Sequence, residues 1–194
     1  MKNNLSHISD SEIISGCKEK QRHFQKLLFL RYSGQILTTC RRYTTNDYPA
    51  KDLVQETFIK VFEKIHQYDP KKGTIIGWIR RIAINVAIDN YNKKKIRTVY
   101  IDSNIEELID NSTYDLDDSL SNCDEELIMH LVKNLPQGYQ TVFNMYLLDG
   151  FSHLEIAKLL FISVSTSKSQ LFKAKNMLKK QLFNYRKRRN ENFK

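Results

Sequence analysis

Residues 52–95 constrain the fold of this chain more than any other stretch. Apolar side chains recur every three or four positions through Val54, Phe58, Val61, Phe62 and Ile65, and again through Ile75, Trp78, Ile79, Ile82, Ala83 and Val86. That spacing places each set on one face of a helix. Between the sets stands Tyr68-Asp69-Pro70-Lys71-Lys72-Gly73, where Pro70 and Gly73 both oppose helix continuation. The expectation is two amphipathic helices, one over 51–67 and one from 74 onward, joined by a basic loop that carries an aromatic.

The faces left over by this burial are unusual. On the first helix they hold Asp52, Gln55, Glu56, Ile59 and Glu63. An isoleucine among carboxylates and an amide suits a basic protein partner, although an ordinary solvated face is the competing reading. On the second helix Arg81, Asn85, Asp89 and Asn92 are spaced by four, four and three, and Lys93, Lys94 and Lys95 follow. Arg with Asn on one stripe suits phosphates and base edges together. A solvated helix end with favourable C-terminal cations explains it equally. Trp78 fits a core position better than a base-stacking platform.

The remainder also reads as helix, because Gly and Pro number only six and three. Ser9-Asp10-Ser11-Glu12 marks a helix start, followed by Ile13, Ile14 and Cys17. Phe24, Leu27, Leu28, Leu30, Ile36, Leu37 and Cys40 form the next stripe, with a polar connection over 44–49. Periodicity is lost over 97–121, and between residues 101 and 126 there are ten acidic side chains and no basic one. We read this as an acidic linker. Beyond it, Leu127, Leu131 and Leu135 stack, and Pro136 stops their helix. A further helix over 137–149 buries Val142, Phe143 and Tyr146 and ends at Gly150. Ser152 and Glu155 form a capping box ahead of Ile156, Ala157 and Leu160. A tight turn at Phe161-Ile162-Ser163 then leads into a basic helix from 164 to about 183. Two helices joined by so short a turn read as a helix-turn-helix. The fold class is therefore all-α: two small helical domains joined by an acidic linker, over 1–97, 98–122 and 123–187, with a basic tail at 188–194.

Composition narrows the function. Outside the acidic stretch there are 31 basic against 12 acidic residues, which points to a polyanion, nucleic acid ahead of membrane. Cys17, Cys40 and Cys123 form no CxxC pair, so neither a disulfide framework nor a zinc site is indicated. His7, His23, His66, His130 and His153 lie on separate elements with no nucleophile or carboxylate pair beside them, so each reads as structural or solvent-facing. No cofactor, metal or small-molecule substrate is expected, and an enzyme is disfavoured. No apolar run approaches the ~18 residues of a membrane span, and no targeting signal is apparent at the N-terminus. A soluble cytoplasmic protein is expected, without direct membrane insertion.

Three segments carry a family likeness in order: Asp52-Leu53-Val54-Gln55-Glu56-Thr57-Phe58, then Gly77-Trp78-Ile79-Arg80-Arg81-Ile82-Ala83, then Leu135-Pro136 through the helix-turn-helix. On these the chain resembles a bacterial RNA polymerase sigma factor of the extracytoplasmic-function (ECF) subfamily. The resemblance implies a transcription initiation factor that binds core RNA polymerase and promoter DNA, with an anti-sigma protein as a further partner. It implies core-polymerase docking through Asp52, Gln55, Glu56 and Ile59. It implies minus-ten recognition and opening through Tyr68, Lys71, Lys72, Arg80, Arg81, Asn85 and Asp89. It implies minus-thirty-five recognition through Ser165, Thr166, Lys168, Ser169, Gln170 and Lys173. Three positions depart from the pattern. Phe161 stands where the turn usually has Gly, which predicts a strained left-handed residue. Ser167 falls on the apolar stripe of Val164, Leu171, Ala174 and Leu178, and is expected to bond back to its own helix. Gln170 replaces a usual Arg. The alternative reading is a stand-alone helix-turn-helix regulator that uses the first domain for dimerisation or sensing. The mixed face and basic loop over 52–76 favour the initiation factor.

Overall fold

The computed structural model describes residues 8–44, 47–98 and 125–191. Every regular element among them is helical, and the chain divides into two compact units, residues 1–95 and 96–194. Residues 99–124, which hold most of the acidic stretch and Cys123, lie outside the described residues.

The first unit holds α1 (Asp10–Lys18), α2 (Arg22–Arg41), α3 (Asp47–Lys64) and α4 (Ile75–Thr98), with single 3-10 turns at Ile65–Gln67 and Pro70–Lys72. The expected cap starts α1. Ser9 Oγ accepts from the Glu12 N–H at 3.2 Å, and the Glu12 carboxylate accepts from the Ser9 N–H at 2.8 Å. Donation from the Ser9 hydroxyl at 2.7 Å, together with that from the Ser9 N–H, holds the exposed Glu12 carboxyl below its usual range. Asp10 then fastens α1 to α2, taking a 2.7 Å bond from Arg31 and another from the Tyr32 hydroxyl. Burial, aided by Asp10, pushes the Tyr32 phenol up to about 12.

Gly16 sets how closely α1 and α2 approach. A Cβ at this position would lie 2.1 Å from Phe24 Cδ2, so only glycine fits the contact as it stands. Ile13, Cys17, Leu28, Ile36 and Cys40 fill the core behind it. Burial pushes the Cys17 and Cys40 thiols up to about 11 and about 12, which makes them inert apolar packing at neutral pH. Leu30 departs from the expected stripe and stays half in solvent.

The connection expected over 44–49 is partly helical, because α3 begins at Asp47 and takes Pro49 into its first turn. Proline loses nothing there, since the first N–H groups of a helix have no partner within it. Leu53, Val54, Phe58, Val61 and Ile65 are buried as one side of α3. Thr57 is buried among them, and its hydroxyl donates to the Leu53 carbonyl at 2.6 Å, so no polar group is left orphaned. On α4, burial extends beyond the expected stripe to Ile84, Ala87 and Ile88.

The second unit holds α5 (Glu125–Lys133), α6 (Gln137–Phe143), α7 (His153–Leu160) and α8 (Val164–Glu191), with a π turn at Asn144–Leu148 continuing α6. α5, α6 and α7 all pack on α8, whose Leu171, Ala174, Leu178 and Leu182 face inward. Val164, expected on this stripe, keeps 37% of its surface in water. The π turn advances the helical phase, so Asn144 and Met145 are buried while Tyr146, expected inside, faces out. Gly150, at φ 73°, ends that element as expected. α8 runs to Glu191 rather than ending near 183.

Gly16→Ala is expected to lower the unfolding free energy by about 1–3 kcal/mol, the usual cost of overpacking. Urea denaturation of the full chain followed by far-UV circular dichroism checks it. A stability equal to wild type would mean that α1 and α2 separate without cost.

Candidate nucleic-acid and protein interfaces

On α3, Asp52, Gln55 and Glu63 are exposed, and Ile59 leaves 58% of its surface in water. Glu56 is partly covered and pairs with Lys60 at 3.4 Å. An isoleucine on this acidic ridge gains nothing in water, while its neighbours attract cations. Apolar contact flanked by anionic rim residues is what a basic protein surface fits.

Lys60 also reaches across to α4, where its ammonium lies 3.4 Å from the Asp89 carboxylate. The acidic ridge of α3 is thereby joined to the polar stripe of α4. Arg81, Asn85 and Asp89 are exposed on that stripe, and Arg80 is exposed beside it. Arg80, Arg81 and Asn85 can serve phosphates and base edges. Asp89 is a carboxylate already engaged by Lys60, and it suits orientation of that lysine better than contact with a polyanion.

The loop between α3 and α4 departs from expectation at one residue. Lys71 and Lys72 are exposed, and Asp69 caps their turn by accepting from the Lys71 N–H at 3.0 Å. Tyr68, expected among the minus-ten residues, is only 8% exposed. Its hydroxyl donates to the Gly73 carbonyl at 2.9 Å, and its ring lies 5.7 Å from that of Trp78. Burial raises the Tyr68 phenol. Tyr68 therefore shapes the loop from within, and the lysines are what the loop presents. Gly73, at φ 141°, closes it in a conformation that side chains rarely adopt.

In the second unit, α7 and α8 meet through the turn Phe161-Ile162-Ser163, and the capping box of Ser152 and Glu155 is formed. Ser163 caps α8: its Oγ accepts from the Thr166 N–H at 2.9 Å and lies 2.7 Å from the hydroxyls of both Ser165 and Thr166. Ser165 and Lys168 are exposed, and Thr166, Ser169, Gln170 and Lys173 are partly so. Ser165, Thr166, Ser169 and Lys173 lie on the side of the first turns of α8 away from Leu171 and Ala174, with Lys168 and Gln170 at its flanks.

Ser167 does not bond back to its own helix. It is fully buried, and its Oγ lies 2.9 Å from Nδ1 of His153, the first residue of α7. The His153 ring stacks on Tyr146 at 4.4 Å and 21°. Partial burial, with the charge of Lys168, holds the imidazole below its ordinary 6.5. This bond joins the two helices of the motif and answers for the polar residue in the core. The sequence shows both residues without showing that they meet, since 14 positions separate them.

Among the described residues no group of three or more His, Cys, Asp or Glu side chains could hold a metal, and no helix is long and apolar enough to cross a membrane.

Comparison with known proteins agrees with this arrangement. Residues 28–96 match Sigma-70 region 2, and residues 125–178 match Sigma-70, region 4. The ECF RNA polymerase sigma-E factor of Haemophilus influenzae is 26% identical over 187 residues, covering 90% of this chain and 96% of that protein. The ECF RNA polymerase sigma factor SigW of Bacillus subtilis is 29% identical over 160 residues, covering 78% and 84%. Among solved structures, the sigma factor RpoE in complex with the anti-sigma factor NepR from Bartonella quintana aligns at TM-score 0.47 and 20% identity, covering 82% of this chain and 96% of that one. A pair of helical units, one with a mixed α3 face and basic loop, the other with a helix-turn-helix, defines a promoter-directed initiation factor. The chain belongs to the sigma-70 family, with region 2 and region 4 domains of the ECF type.

Ser167→Ala should cost about 1 kcal/mol, because His153 loses its partner. The pH dependence follows from the same pair. The folded imidazole takes a proton less readily than the unfolded one, so stability should rise with pH through the range just below 6.5. Denaturation of wild type and His153→Gln across pH 5–7.5 checks this. An identical slope in the two proteins would remove His153 from the account.

Proposed function

We propose that α3 docks this factor onto core RNA polymerase through Asp52, Gln55, Glu56 and Ile59. The observation that carries the proposal is the exposure of Ile59 on an otherwise acidic and amide-bearing ridge. A stand-alone regulator has no use for such a face.

The remaining residues divide the DNA between them. Lys71 and Lys72 in the loop, with Arg80, Arg81 and Asn85 on α4, hold the minus-ten region while it opens. Strand opening costs a few kcal/mol per unstacked base, and cationic contacts to the separated strand offset part of it. Asp89 keeps Lys60 in place between the docking ridge and this stripe. In the second unit Ser165, Thr166, Lys168, Ser169, Gln170 and Lys173 enter the major groove of the minus-thirty-five element, as the second helix of such a motif does. The factor makes no covalent bond itself and works in the cytoplasm, where polymerase and template are. Family membership adds an anti-sigma protein to its partners.

The charge-reversed pair Asp52→Lys with Glu56→Lys tests the docking face. Affinity for core polymerase, measured by fluorescence titration, is expected to fall at least roughly tenfold, about 1.4 kcal/mol. The unfolding midpoint should hardly change, since neither side chain is in the core. Unchanged core affinity would remove the docking assignment.

A further inference from the structure

Phe161 is the most exposed large apolar side chain among the described residues, at 84%. It also occupies the left-handed region, at φ 53° and ψ 48°. The turn it sits in closes α7 in the usual way, with the Ile162 N–H bonded to the Ala157 carbonyl at 3.1 Å. Glycine would satisfy that geometry without strain. The conformation alone singles out nothing, because Lys20 holds φ 60° in the equivalent cap of α1. Lys20, however, offers water a charged side chain, whereas Phe161 offers it an apolar ring. Within its own unit Phe161 is disfavoured twice, by backbone and by solvent, and a partner that covered the ring would offset both.

Position identifies that partner. Two residues after Phe161 comes Ser163, the cap of α8, whose first turns carry the groove-facing side chains. Two residues of chain span at most about 7 Å, less than the ~12 Å width of the major groove. Lys158 lies one turn before Phe161 and Leu154 two turns before, on the same exposed face of α7. A cation beside an apolar ring at the groove entrance suits a phosphate beside a base edge. The apolar group the major groove offers there is the C5-methyl of thymine.

We infer that Phe161 is a specificity-determining residue for the upstream promoter element, its ring packing on a thymine methyl at the edge of the major groove. The inference rests on the proposed role of α8 in reading duplex DNA.

The test uses holoenzyme assembled from the full chain and core polymerase. Duplexes randomised over the upstream element are selected for binding, and each thymine of the selected site is then replaced by deoxyuridine, which lacks only the methyl group. One such replacement should weaken wild-type binding several-fold and leave Phe161→Gly unaffected. Phe161→Gly should also unfold at a higher temperature than wild type, because strain is relieved. The inference is overturned if Phe161→Gly keeps the wild-type response to every replacement, or if it unfolds earlier and so needs the ring for its own fold. A loss of binding equal on templates with and without the upstream element overturns it too, because the ring would then face polymerase. A wild-type holoenzyme that selects no upstream sequence overturns the DNA-reading role of α8, and this inference with it.

Discussion

Burial of one side of α3, α4 and α8 determines which residues remain for partners, and the rest of the structure depends on it. A helix that gives Leu53, Val54, Phe58 and Val61 to the core can present outward only what lies across from them. On α3 that remainder is the acidic ridge with Ile59. On α8 it is the row of hydroxyls, amide and lysines that begins at Ser165. A substitution that rotated either helix about its axis would damage core and interface together.

The polar contacts within each unit refine these faces. Lys60 bridges Glu56 and Asp89, so the ridge of α3 and the stripe of α4 share one cation. Exposed ion pairs add little stability, and the consequence here is geometric, since the pair ties the polar faces of α3 and α4 together. In the second unit the His153–Ser167 bond does the corresponding work at depth. This bond between side chains of the two motif helices depends on direction as well as size. Apolar packing tolerates small rotations, whereas a 2.9 Å bond from a stacked ring restricts them.

Regular periodicity made most of the architecture legible. The two capping boxes at Ser9 and Ser152, the break at Pro70–Gly73 and the short turn before α8 all stand where their residue types require. The differences have separate physical causes, and the first is that a single stripe describes a helix buried on one narrow side. α4 is covered on a wider arc, so Ile84, Ala87 and Ile88 were missed. Tyr146 was placed inside because a π turn changes the phase, and nothing in the local sequence announces it. Leu30 and Val164 fit their stripes by spacing yet lie where neighbours cover them only in part. At the candidate sites, residue type suggested which positions face out, but pairing across elements was not readable. Tyr68 reaches Gly73, Asp89 reaches Lys60 and Ser167 reaches His153 only because the fold brings them together.

The central claim is that this chain opens promoter DNA only as part of a polymerase complex, with α3 bound to core enzyme and the loop and α4 on the separating strands. Permanganate footprinting measures this directly, because it modifies thymines that have left the duplex. Thymines across the minus-ten region should become reactive when chain, core enzyme and promoter are combined, and stay protected when either protein is left out. Tight duplex binding by the chain alone, with no reactive thymines after core enzyme is added, would contradict the account.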